Sequence, residues 1–309
     1  MVCKLPRMAL LRMVLLKTAV LVALLTFPPA GAAQGVKVFI SADMEGVVGA
    51  VTGDQLGPGG FEYQKFREYM TQEVNAAIRG ARAAGATEIV VADSHGNGQN
   101  LLMDLLPDDI LLVRSWPREL GMMHGVDESF DAAILLGYHA STDNSEGVRA
   151  HTFSSANYHS VRLNGRVMTE GSVSAAIAGH FGVPVVMVSG DDAAVAEVQG
   201  EVGAVEGAVV KWNHGFHSAT TVMPERAYAL IEEAARRGVE RRTEIAPYTP
   251  SQPLTLDLRF KNYLPAEVLS YLPSVERTDS HTIRYVGADM VEISRFLQFV
   301  GRYTASLSP

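Results

Sequence analysis

The chain has 309 residues, 47% of them hydrophobic and 19% charged, with a formal net charge of −8. That is enough apolar material for one large core or two interlocked lobes, and it excludes a disordered protein. The acidic balance argues against polyanion partners such as nucleic acid, whose binding rests on clustered Lys and Arg. The one basic stretch, "ARRGVERR" up to Arg242, reads as the solvated face and end of a helix.

The N-terminus follows the three-part pattern of a secretory leader. "MVCKLPRMALLRMVLLK" carries Lys4, Arg7, Arg12 and Lys17 with no acid, "TAVLVALLTF" is apolar, and "PPAGAAQG" supplies the small residues for cleavage after Ala32 or Ala33. The apolar run is shorter than the roughly 20 residues that span a bilayer, which weighs against an uncleaved anchor. Loss of these four positive charges would take the formal net charge from −8 to −12 and remove Cys3, the only cysteine. The remaining chain, 34–309, would have no disulfide, no thiolate ligand and no Cys nucleophile, and it would be periplasmic or secreted.

From Val36 on, strand and helix patterns alternate. "VKVFISAD" reads as a buried strand and "GDQLGPGG" as a Gly-rich loop. Tyr63, Phe66, Met70, Val74, Ala77 and Ala81 then recur at helical spacing up to Gly85. "TEIVVADSHG", "DILLVRS" and "DAAILLGYHA" are further strands, followed by the strand and turn "YHSVRLNG", the small-residue helix "RVMTEGSVSAAIAGHFG" and the buried strand "VPVVMVSGDD". "MPERAYALIEEAARRG" predicts a helix with Pro224 in its first turn and Gly238 past its end. "SQPLTLDLRF", "PAEVLSYL", "SHTIRYVG" and "DMVEISRFLQFVGRY" close the chain as strand, helix, strand, helix. The expected fold class is α/β, a largely parallel sheet flanked by helices. The Pro-containing stretch Glu244 to Pro253 is the best candidate for an internal boundary.

The polar residues collect at strand ends. Asp43 and Glu45 follow the first strand, Asp93 and His95 the second, and His139 ends "LLGYH". Ligands of open α/β sheets bind outside the carboxyl ends of the strands. Extended backbone puts residues two apart on one face, so Asp43 and Glu45 could share a cation that removes their mutual repulsion. Taken singly, Asp43 could cap a turn, and His95 and His139 could be ordinary loop and core histidines. Together, carboxylates and imidazoles without cysteine suit a catalytic rather than a structural metal.

His151 in "AHTF" could shuttle a proton or lie on the surface, and Glu170 in "TEG" fits the dipole of a helix start. Asp191 and Asp192 read as helix caps. His214 and His217 have metal-like spacing but no neighbouring carboxylate. No G-x-S-x-G, H-E-x-x-H or P-loop pattern is present.

In this order, "SADMEG", "ADSHGNGQN", "LLGYHA", "AHTF", "TEGSVSA" and "VPVVMVSGDD" resemble the zinc D-aminopeptidases encoded with bacterial dipeptide-transport genes. The resemblance runs from about Val36 to the C-terminal helix. It implies an α/β fold with an intertwined second lobe, two zinc ions per chain, a ring-shaped homodecamer, and hydrolysis of short peptides with N-terminal D-residues. Carried over by motif, the metal ligands would be Asp43, Glu45, His95, His139 and Glu170, and the catalytic histidine His151. An exported enzyme would meet peptides derived from peptidoglycan. Two alternatives are a metal-dependent amidase or esterase on another small substrate and a non-catalytic periplasmic peptide-binding protein.

Overall fold

The run "VKVFISA" forms β1 (Val36–Ala42) in the computed structural model, which describes Met1 and residues 35–303; otherwise the expected leader, Cys3 included, lies outside the described residues. After β1 come α1 (Tyr63–Ala83), β2 (Ala86–Asp93), β3 (Leu111–Val113), β4 (Ala132–Tyr138), β5 (Tyr158–Leu163) and β6 (Arg166–Val167). The middle of the chain contains α2 (Glu170–His180), β7 (Val185–Asp191), α3 (Asp192–Val202), β8 (Glu206–Gly215), β9 (Ser218–Thr221) and α4 (Pro224–Glu240). It closes with β10 (Leu254–Phe260), α5 (Tyr263–Leu269), β11 (Val275–Arg277), β12 (Thr282–Gly287) and α6 (Met290–Arg302).

The larger sheet has the order β3-β2-β1-β4-β7-β8-β9 and is parallel except for the β8–β9 hairpin. Its central strands are buried on both faces, which explains their nearly continuous apolar sequence. Alternate residues of β1 serve two cores. Val38 and Ile40 pack with Met70, Val74 and Ile231 of α1 and α4, whereas Phe39 joins Leu135, Val188 and the small residues of α2. The strand order reverses direction between β1 and β4, so the crevice beyond their carboxyl ends is a switch point of the kind that binds ligands.

The second lobe is a wholly antiparallel sheet, β11-β12-β10-β5-β6. It combines β5 and β6, inserted between β4 and β7, with three strands from the chain's end. The stretch 244–253 leads from α4 to β10, which pairs with β5, so the chain crosses there between two layers that share one core.

Two expectations change. Gly238 lies inside α4 rather than past its end, because the helix packs on β7: a Cβ there would come within 2.6 Å of the Val186 carbonyl oxygen. The helix expected over "RVMTEGSVSAAIAGHFG" begins only at Glu170, because Arg166 and Val167 pair with β5 as β6; β8 and β9 form in a stretch to which the sequence alone assigns no element. The apolar signal of β8 is interrupted by Lys211, which is nonetheless fully buried.

Candidate metal centre

β1, β2 and β4 lie side by side and end at one level, so the residues just past them meet. Asp43 still donates its backbone N–H to the Leu136 carbonyl at 2.8 Å, but strand geometry does not persist to Glu45. The chain turns there, and Gly46 N–H donates to the Gly137 carbonyl at 2.7 Å. Gly137 has φ +69°, and a Cβ on it would stand 2.4 Å from the Asp43 carbonyl oxygen, so only glycine permits this approach. The turn, rather than an extended i, i+2 pair, brings both carboxylates to His95. Asp43 Oδ1 lies 3.2 Å and Glu45 Oε2 2.8 Å from its Nδ1.

The other half of the cluster gathers around His139. Its Nε2 is 3.4 Å from Asp43 Oδ2 and 3.3 Å from Glu170 Oε1. Glu170 opens α2 behind the cap Thr169, as a helix-start carboxylate should, yet its side chain turns inward and accepts the Phe153 N–H at 2.7 Å. His151, on the loop before β5, lies with its Nε2 3.8 Å from Glu170 Oε1.

Each imidazole is held by a backbone carbonyl on its other nitrogen. His95 Nε2 bonds Leu56 O at 2.7 Å, His139 Nδ1 bonds Ala140 O at 3.1 Å, and His151 Nδ1 bonds Arg149 O at 2.7 Å. A carbonyl only accepts, so these nitrogens carry the proton and the opposite nitrogens are directed at the carboxylates. This is the arrangement by which outer partners orient histidine ligands.

The cluster is buried, and its electrostatics follow from that. Burial and the charge of Glu45 push the Asp43 carboxyl up to about 7. Burial works the same way on Glu45 and Glu170, but the facing imidazoles, His95 and His139 respectively, override it and hold both below the ordinary carboxylate range. Burial disfavours the imidazolium of His139, yet Glu170 and Asp43 carry it up to about 10, and Glu45 and Asp43 likewise hold His95 well above its usual value. His151 goes the other way, held down by burial and by the charge of His139.

A divalent metal fits these residues. Asp43 Oδ2 and His139 Nε2 are buried without a hydrogen-bond partner although they face each other. Buried polar atoms are ordinarily satisfied, and two orphans at one point mark a missing common partner. The donor set of carboxylate oxygens and imidazole nitrogens is the one zinc takes in hydrolytic sites. Asp43, Glu45 and His139 form one compact donor group, and His139, His151 and Glu170 another. All six expected site residues therefore line one cavity of about 330 Å³.

Asp191 caps α3 through the Ala194 N–H, as expected, and also accepts the Val148 N–H. Asp192 lies in the first turn of α3. His214 bonds Thr220 Oγ1 on the exposed β8–β9 hairpin, which also bears His217, apart from the cluster. Sequence reading misses Lys211, whose Nζ donates to the carbonyls of Glu45, Val47 and Ala50 and so supports the turn bearing Glu45. The available signal was a lysine within the apolar run "GAVVKW".

A cavity at the switch point of a mostly parallel sheet, floored by carboxylates and imidazoles with unpartnered donor atoms, defines a metallohydrolase type of site. The chain belongs to the D-aminopeptidase family designated peptidase M55, which matches residues 36–299. It is 32% identical over 257 residues to a D-aminopeptidase of Bacillus subtilis (strain 168), across 83% of this chain and 93% of that protein. The solved structure of the Zn-dependent D-aminopeptidase DppA from Bacillus subtilis, described as a self-compartmentalizing protease, superposes with a TM-score of 0.82 at 29% identity, covering 87% of this chain and 99% of that one. The expected α/β fold with its second lobe is that of this relative.

Proposed function

We propose that this chain is a zinc-dependent aminopeptidase that releases N-terminal D-residues from short peptides, using two zinc ions. The observation that carries the reading is the cluster itself, with its unpartnered Asp43 Oδ2 and His139 Nε2. Asp43 faces both ways, Oδ1 towards His95 and Oδ2 towards His139, which suits a carboxylate shared by two metals. Glu45 and His95 would complete one position, His139 and Glu170 the other. Zinc held there supplies Lewis acidity and draws the pKa of a water towards neutrality.

His151 acts on protons. Its Nδ1–H is committed to the Arg149 carbonyl, so Nε2 is the basic nitrogen, and its depressed pKa keeps it unprotonated near neutrality. It can take a proton from the attacking water and return it to the leaving amine.

The leader pattern supports export, with periplasmic or secreted peptides as substrates and no lasting membrane insertion. Self-compartmentalization of the relative supports a homo-oligomer, of which a decameric ring is one form. The acidic chain has no basic patch suited to nucleic acid.

The test is release of D-alanine from D-Ala-D-Ala by the zinc-loaded protein, beside L-Ala-L-Ala and a chelated control. Metal-dependent cleavage of the D-peptide alone is expected. Zinc binding without cleavage of either peptide would overturn the aminopeptidase reading.

A further inference from the structure

We propose that Arg302, at the end of α6, is the anchor for the free C-terminal carboxylate of a short peptide substrate. The inference rests on the aminopeptidase reading and adds to it the residue that holds the far end of such a peptide.

In the proposed site the zinc ions offset the three carboxylates of the floor, and the scissile carbonyl belongs there. The free α-carboxylate of a dipeptide lies one residue further on, where a cation of the cavity wall could hold it. Among the described residues lining the cavity, Arg302 is the only Lys or Arg. Its guanidinium carbon lies 3.8 Å from the centre of the Trp116 ring, and its Nε donates to Gln298 Oε1 at 3.0 Å. The two terminal amino groups are thereby presented as a fixed fork, the geometry that binds a carboxylate through two parallel hydrogen bonds.

The platform is rigid. Trp116 Nε1 donates to the Gly96 carbonyl at 2.8 Å, and the Arg118 guanidinium lies 4.3 Å from the ring centre. Arg118 is itself occupied, donating to the carbonyls of Ser115 and Asp93. Arg302 differs from it, and from Arg295 on the same helix, which pairs with Glu119. Among the described residues, no carboxylate lies within ion-pair reach of Arg302. Arg302 remains largely exposed, and partial burial pushes its pKa down. Arg302 lies in the last turn of α6. A cavity of about 330 Å³ is at the small end of ligand sites, which run to about 1,000 Å³, and it suits a di- or tripeptide.

The test compares D-Ala-D-Ala with its C-terminal amide, as substrates of the zinc-loaded protein and of Arg302→Ala and Arg302→Lys. The acid is expected to be preferred at least about ten-fold in kcat/KM, mainly through KM. That ratio should collapse towards one in Arg302→Ala and be partly restored in Arg302→Lys. Equal cleavage of acid and amide by the unaltered protein, or a preference that survives in Arg302→Ala, would overturn the assignment. If neither peptide is cleaved, the aminopeptidase reading has failed instead, and titration calorimetry of the same two ligands decides the anchor. Tighter binding of the acid that is lost in Arg302→Ala upholds it, and equal binding overturns it.

Discussion

His139 and His151 lie face to face, their ring centroids 4.0 Å apart and their planes within 6° of parallel. Both flank Glu170, but His139 is fully buried against Asp43, whereas the His151 side chain keeps 14% of its surface exposed towards the cavity. On the proposed roles, the stack would separate a ligand position from a proton-transfer position. His139→Ala should lose zinc. His151→Ala should retain it while turnover falls by about 10²–10⁴, the usual weight of a general acid–base residue. Metal analysis beside kcat checks both, and zinc loss in His151→Ala would make His151 a ligand instead.

Chelation should lower stability as well as activity. Without a cation, Asp43, Glu45 and Glu170 must share one buried cluster balanced only by imidazoles. Zinc at a hundred times its Kd contributes about 2.7 kcal/mol, which for a chain of this size corresponds to a Tm shift of roughly 4–5 °C. Calorimetry with and without chelator measures it, and an unchanged Tm would place no metal at this cluster.

Lys211 links the core to the turn that bears Glu45. Its ammonium satisfies the carbonyls of Glu45, Val47 and Ala50 in a region closed to water. Lys211→Met keeps the volume and leaves all three without a donor, at about 1–3 kcal/mol for each buried group left unsatisfied. Denaturation midpoints should fall, and zinc affinity, read by competition with a chromogenic chelator, should fall with them because the turn carrying Glu45 loosens. Full zinc affinity in a destabilised variant would confine Lys211 to the fold.

Glu73 of α1 accepts the Val48 N–H at 2.9 Å from beneath the same loop, and its other oxygen has no partner. Burial pushes its carboxyl up from 4.5 to about 8. A raised folded-state pKa means that the stabilisation is complete below about 4.5 and is lost as pH rises to about 8. Lys211 faces Glu73 from β8 and Tyr228 from α4. Lys211, pushed by burial from 10.5 down to about 8, acts above that window, where stability rises with pH. Relative to Glu73→Gln, the unaltered protein should therefore lose up to about 1.4 kcal/mol per pH unit between these limits. Urea midpoints of both proteins across that range decide it, and parallel pH profiles would show that Glu73 stays ionised.

The sequence by itself determined the elements whose burial is local and periodic. The apolar runs of β1, β2 and β4 mark strands covered on both faces, and the three- and four-residue spacing of Tyr63, Phe66, Met70 and Val74 marks α1. It also placed Asp43, Glu45, His95 and His139 at strand ends, where a parallel sheet collects its ligands. Only the tertiary structure decided that Glu45 arrives by a turn, that Glu170 faces His139 rather than merely capping a helix, and that His151 stacks on His139. The same holds for the pairing of β5 with β10, for the buried Lys211 that interrupts the pattern of β8, and for Arg302 on Trp116. The physical reason is range. Hydrophobic period reports whether a residue is covered, but which side chain meets which depends on strand order and register between segments far apart in the chain, and no local pattern carries that.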